Sequence, residues 1–224
     1  MTEALGPRPR LVCFDLGGVL VRIHHTWDDA RRGAGVPILA ESPGEEAARR
    51  ALTVKLGTGR ITVDAWADGV SQALCGAYAP ADLVRVHHAI CLVEYPGTPA
   101  LVQAIHDAGI PTACLSNTDH AHWARLAHRD DRGPLAGTPE YPSVARLQRH
   151  FASHLLGIQK PDAGAYEAVE RETGVSGADV VFFDDRPENV EAAARRRWRA
   201  YRVGPEGDPP GAVRARLARY LEGR

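Results

Sequence analysis

Leu11-Val12-Cys13-Phe14-Asp15-Leu16-Gly17-Gly18-Val19-Leu20 is an apolar run interrupted by one aspartate and two glycines. The apolar residues before Asp15 predict a short, fully buried strand. The glycines after it allow the backbone to approach a ligand closely. Ligands of open parallel sheets bind at the carboxyl ends of the strands. The stretch therefore predicts an α/β protein with Asp15 at the ligand-binding edge of its sheet.

Polar side chains also stand at the tips of three later predicted strands. These positions are Ser116-Asn117, Lys160 and Asp184-Asp185. The carboxyl ends of parallel strands meet at one edge of a doubly wound sheet, so we expect these side chains to gather around Asp15. An aspartate can be a nucleophile, a lysine supplies charge for phosphate oxygens, and neighbouring carboxylates suit Mg²⁺. The set indicates phosphoryl transfer, which depends mostly on positioning and charge stabilisation.

Two parts of the chain differ in their pattern. Residues 22–95 predict a block of helices without a strand, whereas apolar strands alternate with helices from residue 98 onward. We interpret 22–95 as an inserted helical cap domain, and residues 1–21 and 96–224 as a Rossmann-like core with a doubly wound parallel sheet.

The predicted elements can be placed along both parts. Predicted cap helices cover 26–36, 43–55, 62–74 and 80–93. Predicted core helices cover 98–108, 119–129, 144–150, 163–173, 189–197 and 211–222. Core strands after the first are predicted at 110–115, 151–155, 180–183 and 200–203. A polar loop at 130–143 is expected to contribute, with the cap, to substrate choice.

Composition limits the classes of partner. The chain has 224 residues and a formal net charge of -1, so no overall field favours nucleic acid or an anionic membrane. No apolar run approaches the roughly 20 residues of a membrane span, and residues 1–10 lack the apolar region of a signal peptide. We therefore expect a cytoplasmic protein that binds neither nucleic acid nor membrane.

The cysteines show no metal-ligand spacing. They are Cys13, Cys75, Cys91 and Cys114. In a reducing compartment we expect them to be reduced, small buried residues.

The polar positions together resemble the motifs of the haloacid dehalogenase superfamily of hydrolases. The matching segments are Phe14 to Val19, Leu115 to Thr118, Gly157 to Asp162 and Phe182 to Asn189. Asp-Leu-Gly in the first, Ser-Asn-Thr in the second and Phe-Phe-Asp-Asp in the fourth are most similar to a branch that resembles bacterial glucose-1-phosphate phosphatases. The resemblance spans residues 11–203 and implies an α/β core, a helical cap and hydrolase activity.

The resemblance also implies roles for individual residues. Two are catalytic: Asp15 as the nucleophile, and Lys160 as the side chain that steadies nucleophile and phosphate. The implied phosphate-binding residues are Ser116, Asn117 and Gly18. The implied Mg²⁺ ligands are Asp15, Gly17 through its carbonyl, Asp184 and Asp185. The expected substrate is a small phosphomonoester such as a sugar phosphate, hydrolysed through an aspartyl-phosphate.

One position departs from the family pattern. Phosphatases of the family carry a second aspartate, a general acid/base, two residues after the nucleophile, where this chain has Gly17. Loss of a positioned acid/base typically costs ~10²–10⁴-fold in rate. His24, His25 or His122 is a hypothetical replacement as a proton shuttle. His122 is equally compatible with the surface of a helix, and His87-His88 with a solvated or core position.

Two other functions stay open at this point. A 2-haloacid dehalogenase also uses the first aspartate and lacks the second, but it needs no metal, so the pair Asp184-Asp185 disfavours it. A catalytically weak member that binds a phosphorylated ligand or a protein is favoured only by Gly17. The oligomeric state is not predicted.

Overall fold

The computed structural model describes residues 6–126 and 140–221. Its strands are β1 (Leu11–Phe14), β2 (Val21–Ile23), β3 (Cys91–Glu94), β4 (Thr112–Ser116), β5 (Arg149–Ala152), β6 (Val180–Asp184) and β7 (Arg199–Arg202). Its helices are α1 (Trp27–Gly33), α2 (Pro43–Gly57), α3 (Val63–Ala73), α4 (Pro80–Ala89), α5 (Thr98–Asp107), α6 (His120–Leu126), α7 (Pro142–Ala145), α8 (Ser153–Leu156), α9 (Ala163–Thr173), α10 (Pro187–Arg195) and α11 (Pro209–Leu221). The predicted alternation of strands and helices from residue 98 onward is confirmed.

One parallel sheet has the strand order β5-β4-β1-β6-β7. β1 is the central strand, and it pairs with β4 on one side and with β6 on the other. Phe14 of β1 pairs with Cys114 of β4 and with Phe183 of β6. This register brings the residues that follow these strands to the same edge, at the point where ligands of doubly wound sheets bind. The predicted α/β fold class is confirmed.

Strands β1, β4 and β6 are buried along their whole length, because helices cover both faces of the sheet. Leu101 of α5 and Leu217 of α11 share one apolar cluster with Phe14. Tyr166 of α9 shares the other with Cys13. Neighbouring side chains of β1 are thus anchored in opposite layers, which holds the strand firmly beneath Asp15.

Helices α1 to α4 enclose an apolar cluster of their own, with Trp66 of α3 among its buried members. Ser42 and Glu45 form a capping box at the start of α2. Thr62 accepts a hydrogen bond from Ala65 N at the start of α3. The sequence predicts both of these helix starts correctly, because the capping side chains specify them locally.

The prediction that residues 22–95 contain no strand is wrong. β2 and β3 pair antiparallel, with Val21 opposite Glu94. Helix α4 ends at Ala89, earlier than the predicted residue 93. A short apolar run has no decisive period, and here pairing with a distant strand determines its conformation.

Two predicted elements near the sheet edge are displaced. The sequence predicts a helix at 144–150 and a strand at 151–155, whereas β5 starts at Arg149 and ends at Ala152. Ala152 pairs with Ser116, the last residue of β4, and α8 follows directly. The neighbouring strand therefore sets the bounds of β5, which local sequence does not specify.

Most of the predicted polar loop at 130–143 lies outside the described residues. Within 6–126 and 140–221, the helices are too short or too polar to cross a membrane.

The four cysteines are free. Cys13 and Cys114 are buried on the paired strands β1 and β4, as predicted. Cys91 is half-buried. The prediction of burial is wrong for Cys75, which is exposed and has a φ of 53° just after α3.

Candidate active site

A buried ion pair network lies at the carboxyl edge of the sheet. The side chain of Lys160 is 0% exposed, and its Nζ lies 3.0 Å from Asp15 Oδ1 and 2.7 Å from Asp184 Oδ2. Burial by itself would lower the pKa of Lys160, but the two carboxylates raise it above its usual value. The lysine is therefore a charged ammonium that bridges the ends of β1 and β6.

Asn117 holds the backbone of this lysine. Its Nδ2 donates to the Lys160 carbonyl at 2.8 Å, and its Oδ1 accepts from the Lys160 N–H at 2.9 Å. Both polar ends of the amide are thereby engaged. If Asn117 binds phosphate, as the sequence predicts, its backbone N–H and the second N–H of its side-chain amide are the donors that remain for that purpose.

Asp184 accepts hydrogen bonds from several donors within the protein. The Asn189 amide donates to both carboxylate oxygens at 3.0 Å, and the Arg186 N–H donates to Oδ1 at 2.9 Å. Together with Lys160, these donors satisfy a carboxylate that is fully buried. Asp184 thus orients Lys160.

Asp15 presents one oxygen to the open side of the edge. Its Oδ1 accepts from the Leu16 N–H at 2.7 Å and from Lys160. Oδ2 accepts no hydrogen bond from any residue that the structure describes. Burial raises the pKa of Asp15 to about 7, against the opposing effect of Lys160. A cation next to this carboxyl would favour its ionised, nucleophilic form.

Asp15, Asp184 and Asp185 form a cluster with metal-binding spacing. One carboxylate oxygen from each lies within 4.8 Å of the others. Burial, followed by the charge of Asp184, raises the pKa of Asp185. Hard oxygen donors of this kind fit Mg²⁺. The structure thus brings the predicted carboxylate ligands together, whereas a role for the Gly17 carbonyl stays a prediction.

The two glycines after Asp15 lie close to different side chains. A Cβ on Gly18, whose φ is 73°, would lie 2.8 Å from Asp185 Oδ2. A Cβ on Gly17 would lie 2.9 Å from Cδ1 of Ile23 on β2. Ile23 therefore fills the space next to the position where phosphatases of the resembled family carry their acid/base aspartate.

The three histidines suggested as proton shuttles occupy different places. His25 Nδ1 lies 3.6 Å from Asp185 Oδ2, beside the carboxylate cluster. His24 packs against Gly33 of α1. His122 is buried, and its ring nitrogens contact Asp119 and a backbone carbonyl. Of the three, His25 is the one next to the site.

Sequence reasoning assigned no role to several residues that build this site. Asn189, in the first turn of α10, donates to Asp184, and Ile23 of β2 packs against Gly17. Asn189 lies within the fourth matched segment, so its position carried a signal. Ile23 lies in none of the matched segments, and its contact with Gly17 depends on the pairing of β2 with β3.

Comparisons with known proteins agree with this geometry. A sequence model described as haloacid dehalogenase-like hydrolase matches residues 9–195. Phosphatase MT3486 of Mycobacterium tuberculosis is 28% identical over 225 residues, which cover 95% of this chain and 96% of that protein.

Solved structures share the fold. A predicted haloacid dehalogenase-like hydrolase of Porphyromonas gingivalis has a TM-score of 0.72 at 20% identity, covering 95% of this chain and 99% of that one. A haloacid dehalogenase family enzyme of Bacteroides thetaiotaomicron, in complex with magnesium and inorganic phosphate, has a TM-score of 0.66 at 16% identity, with coverages of 89% and 96%. L-2-haloacid dehalogenase of Xanthobacter autotrophicus has a TM-score of 0.57 at 16% identity, with coverages of 87% and 77%.

Replacing Lys160 with methionine is expected to destabilise the fold, because Asp15 and Asp184 would be left as uncompensated buried charges. We expect a loss of about 3–5 kcal/mol in the free energy of unfolding, measured by urea denaturation in a chelator. Lys55, an exposed lysine of α2, provides the control, and Lys55→Met is expected to change stability by less than about 0.5 kcal/mol. Equal stabilities of the two variants would contradict the charge network.

Replacing Gly18 with alanine is expected to weaken divalent-cation binding about 10-fold or more, because the new Cβ displaces the Asp185 carboxylate. Isothermal titration with Mg²⁺ measures this affinity. Gly44→Ala is the matched control, since a Cβ at this helical position has no neighbour within 4 Å. Unchanged Mg²⁺ affinity in Gly18→Ala would show that Asp185 is not held where the cation binds.

Proposed function

Because the chain belongs to the family of haloacid dehalogenase-like hydrolases, we propose that it hydrolyses a small phosphomonoester, such as a sugar phosphate, through an aspartyl-phosphate on Asp15. The observation that carries this proposal is the ammonium of Lys160 between Asp15 and Asp184, beside a third carboxylate. This arrangement combines a nucleophile, a fixed positive charge and a set of hard oxygen ligands. Phosphoryl transfer requires these groups.

The reaction begins with attack of Asp15 Oδ2 on phosphorus, which breaks the phosphorus–oxygen bond to the leaving group. The departing oxygen takes its proton from water, since Gly17 carries no acid. Lys160 keeps Oδ1 in place, and its third N–H remains to donate to a phosphoryl oxygen. The buried Ser116 hydroxyl and the backbone N–H groups after β4 donate to the other oxygens. Water then attacks phosphorus of the aspartyl-phosphate, which releases phosphate and restores the Asp15 carboxylate.

Mg²⁺ is the cofactor we propose, held by Asp15, Asp184, Asp185 and the Gly17 carbonyl. When bound, it would neutralise charge on the phosphoryl oxygens and orient them for in-line displacement. The donor chemistry of the carboxylate cluster supports this choice. The related enzyme of Bacteroides thetaiotaomicron, which binds magnesium and inorganic phosphate, supports it by analogy.

We extend the proposal to the domain division, with residues 1–21 and 96–224 as the catalytic core and 22–95 as the cap. The separate apolar cluster of α1 to α4 supports it. So does the β2–β3 ribbon, since its two strands form the connections at both boundaries. A cap over Asp15 would exclude bulk water and select the substrate.

Dehalogenation is the second candidate function, favoured by Gly17 and by the likeness in fold to L-2-haloacid dehalogenase. The three-carboxylate cluster argues against it, because a 2-haloacid dehalogenase needs no metal and so has no use for a set of metal-binding carboxylates. A weak member that only binds phosphorylated ligands is the remaining alternative.

Phosphate release from a panel of sugar phosphates, nucleotides and an aryl phosphate tests the proposal. We expect turnover that requires Mg²⁺ and falls by more than about 10³-fold in Asp15→Asn. Asp107→Asn, at the exposed end of α5, is the control and should keep full activity. Metal-independent halide release from 2-haloacids would favour the dehalogenase instead, and absence of both activities would favour the binding function.

Gly17 predicts a strong dependence on the leaving group, because no aspartate at this position can protonate a departing alkoxide. We expect an aryl phosphate to be hydrolysed faster than an alkyl phosphate by about 10²–10⁴-fold. The double variant Gly17→Asp/Ile23→Ala supplies a carboxylate and the space for it. It should lower the ratio of the aryl phosphate rate to the alkyl phosphate rate. Ile23→Ala alone is the control for the repacking. Similar rates for both substrates in the native protein would show that another group donates the proton.

A further inference from the structure

A second polar cluster lies where the helical region packs on the core. His87 comes from the end of α4, Asp119 directly precedes α6, and His122 lies on α6. The three side chains are 5–7% exposed. None of them belongs to the carboxylate cluster around Lys160.

The ligand atoms of this cluster converge. His87 Nε2 lies 3.2 Å from the Asp119 carboxylate, His122 Nδ1 lies 3.1 Å from it, and all three atoms fall within 4.8 Å of one another. A tetrahedral metal site with bonds of about 2.0–2.1 Å has ligand-to-ligand separations of about 3.3 Å. The nitrogen-to-oxygen separations are therefore close to those of a metal site.

The second nitrogen of His122 is fixed in the manner of a metal ligand. Its Nε2 lies 2.8 Å from the His87 carbonyl, which can only accept, so Nε2 carries a proton. Metal-binding histidines usually donate their other N–H to such a carbonyl or to a carboxylate. The rings of His87 and His122 stack at 4.0 Å beside this carboxylate, so binding one ion would require the two rings to tilt apart.

This arrangement requires a cation at Nδ1 of His122. The Ala121 N–H donates to Asp119 Oδ1 at 2.9 Å. The His122 N–H donates to the same oxygen at 3.3 Å, and these backbone donors favour the carboxylate form of Asp119. A bare lone pair on Nδ1 facing a carboxylate at 3.1 Å would be repelled. Either a second proton on His122 or a metal ion must therefore lie between them.

We propose that His87, Asp119 and His122 bind one Zn²⁺ ion that joins α4 to α6. Two imidazole nitrogens and one carboxylate form a donor set typical of zinc and unlike the all-oxygen set that suits Mg²⁺. The ion fastens the helical region to the segment that follows Ser116 and Asn117. A second contact also joins the helical region to the core: Ser153 Oγ, at the start of α8, donates to the Gly57 carbonyl at the end of α2.

Calorimetric titration of chelator-treated, full-length protein with Zn²⁺ tests this site, with excess Mg²⁺ present to occupy the carboxylate cluster. We expect about one Zn²⁺ per chain, and a loss of affinity of about 100-fold or more in His122→Gln and in His87→Gln. His88→Gln, a change at the exposed neighbour of His87, should bind as the native chain does. Asp185→Asn should also keep the Zn²⁺ site, which separates it from the proposed catalytic site.

Three measurements on the native chain make the test independent of whether the variants fold. Co²⁺ in place of Zn²⁺ should give the visible absorption of a tetrahedral complex, and added Zn²⁺ should raise the Tm by about 4 °C or more. Nitrogen-15 NMR of the His122 ring should show Nδ1 without a proton after Zn²⁺ is added. An imidazole that keeps protons on both nitrogens in the presence of Zn²⁺, or equal Zn²⁺ affinity in the native chain and His122→Gln, would overturn the proposal.

Discussion

The ammonium of Lys160, buried between Asp15 and Asp184, is the interaction on which the rest of the catalytic edge depends. A charge that is fully removed from water is tolerated only when it is paired and hydrogen-bonded. The two carboxylates satisfy that condition from the ends of neighbouring strands, and Asn117 and Asn189 fix the partners in turn. With Asp185 added, the carboxylates outnumber the ammonium by two charges, which is the charge that a divalent cation balances.

The sheet makes this network possible because β1 is its central strand. Pairing with β4 on one side and β6 on the other places Ser116 and Asp184 on either side of Asp15. Both faces of β1 are packed by helices, and a register shift of one residue would move the side chains of Cys13 and Phe14 into the wrong layers. The position of the candidate nucleophile is therefore set by apolar packing, whereas its charge state is set by burial, by Lys160 and by the neighbouring carboxylates.

The sequence predicted the fold and the composition of this edge because the relevant signals are local. An apolar run that ends in a polar residue marks each strand tip, and side-chain caps such as Ser42 and Thr62 mark helix starts. The β2–β3 ribbon was missed, since its strands are short and pair across the whole helical region. The contact of His87 with Asp119 was missed for the same reason, because 32 residues separate them and neither lies in a recognisable spacing.

The contact between Gly17 and Ile23 links the loop after Asp15 to the helical region. Without a side chain at position 17, the end of Ile23 lies against the loop that follows Asp15. Ile23 belongs to β2, which pairs with β3, and β3 directly follows the segment that carries α4 and His87. The residue that deprives the site of an acid/base aspartate therefore also lets the ribbon pack closely on the catalytic loop. A carboxylate at position 17 would have to displace Ile23, so the chemistry of this loop and the placement of the ribbon depend on each other.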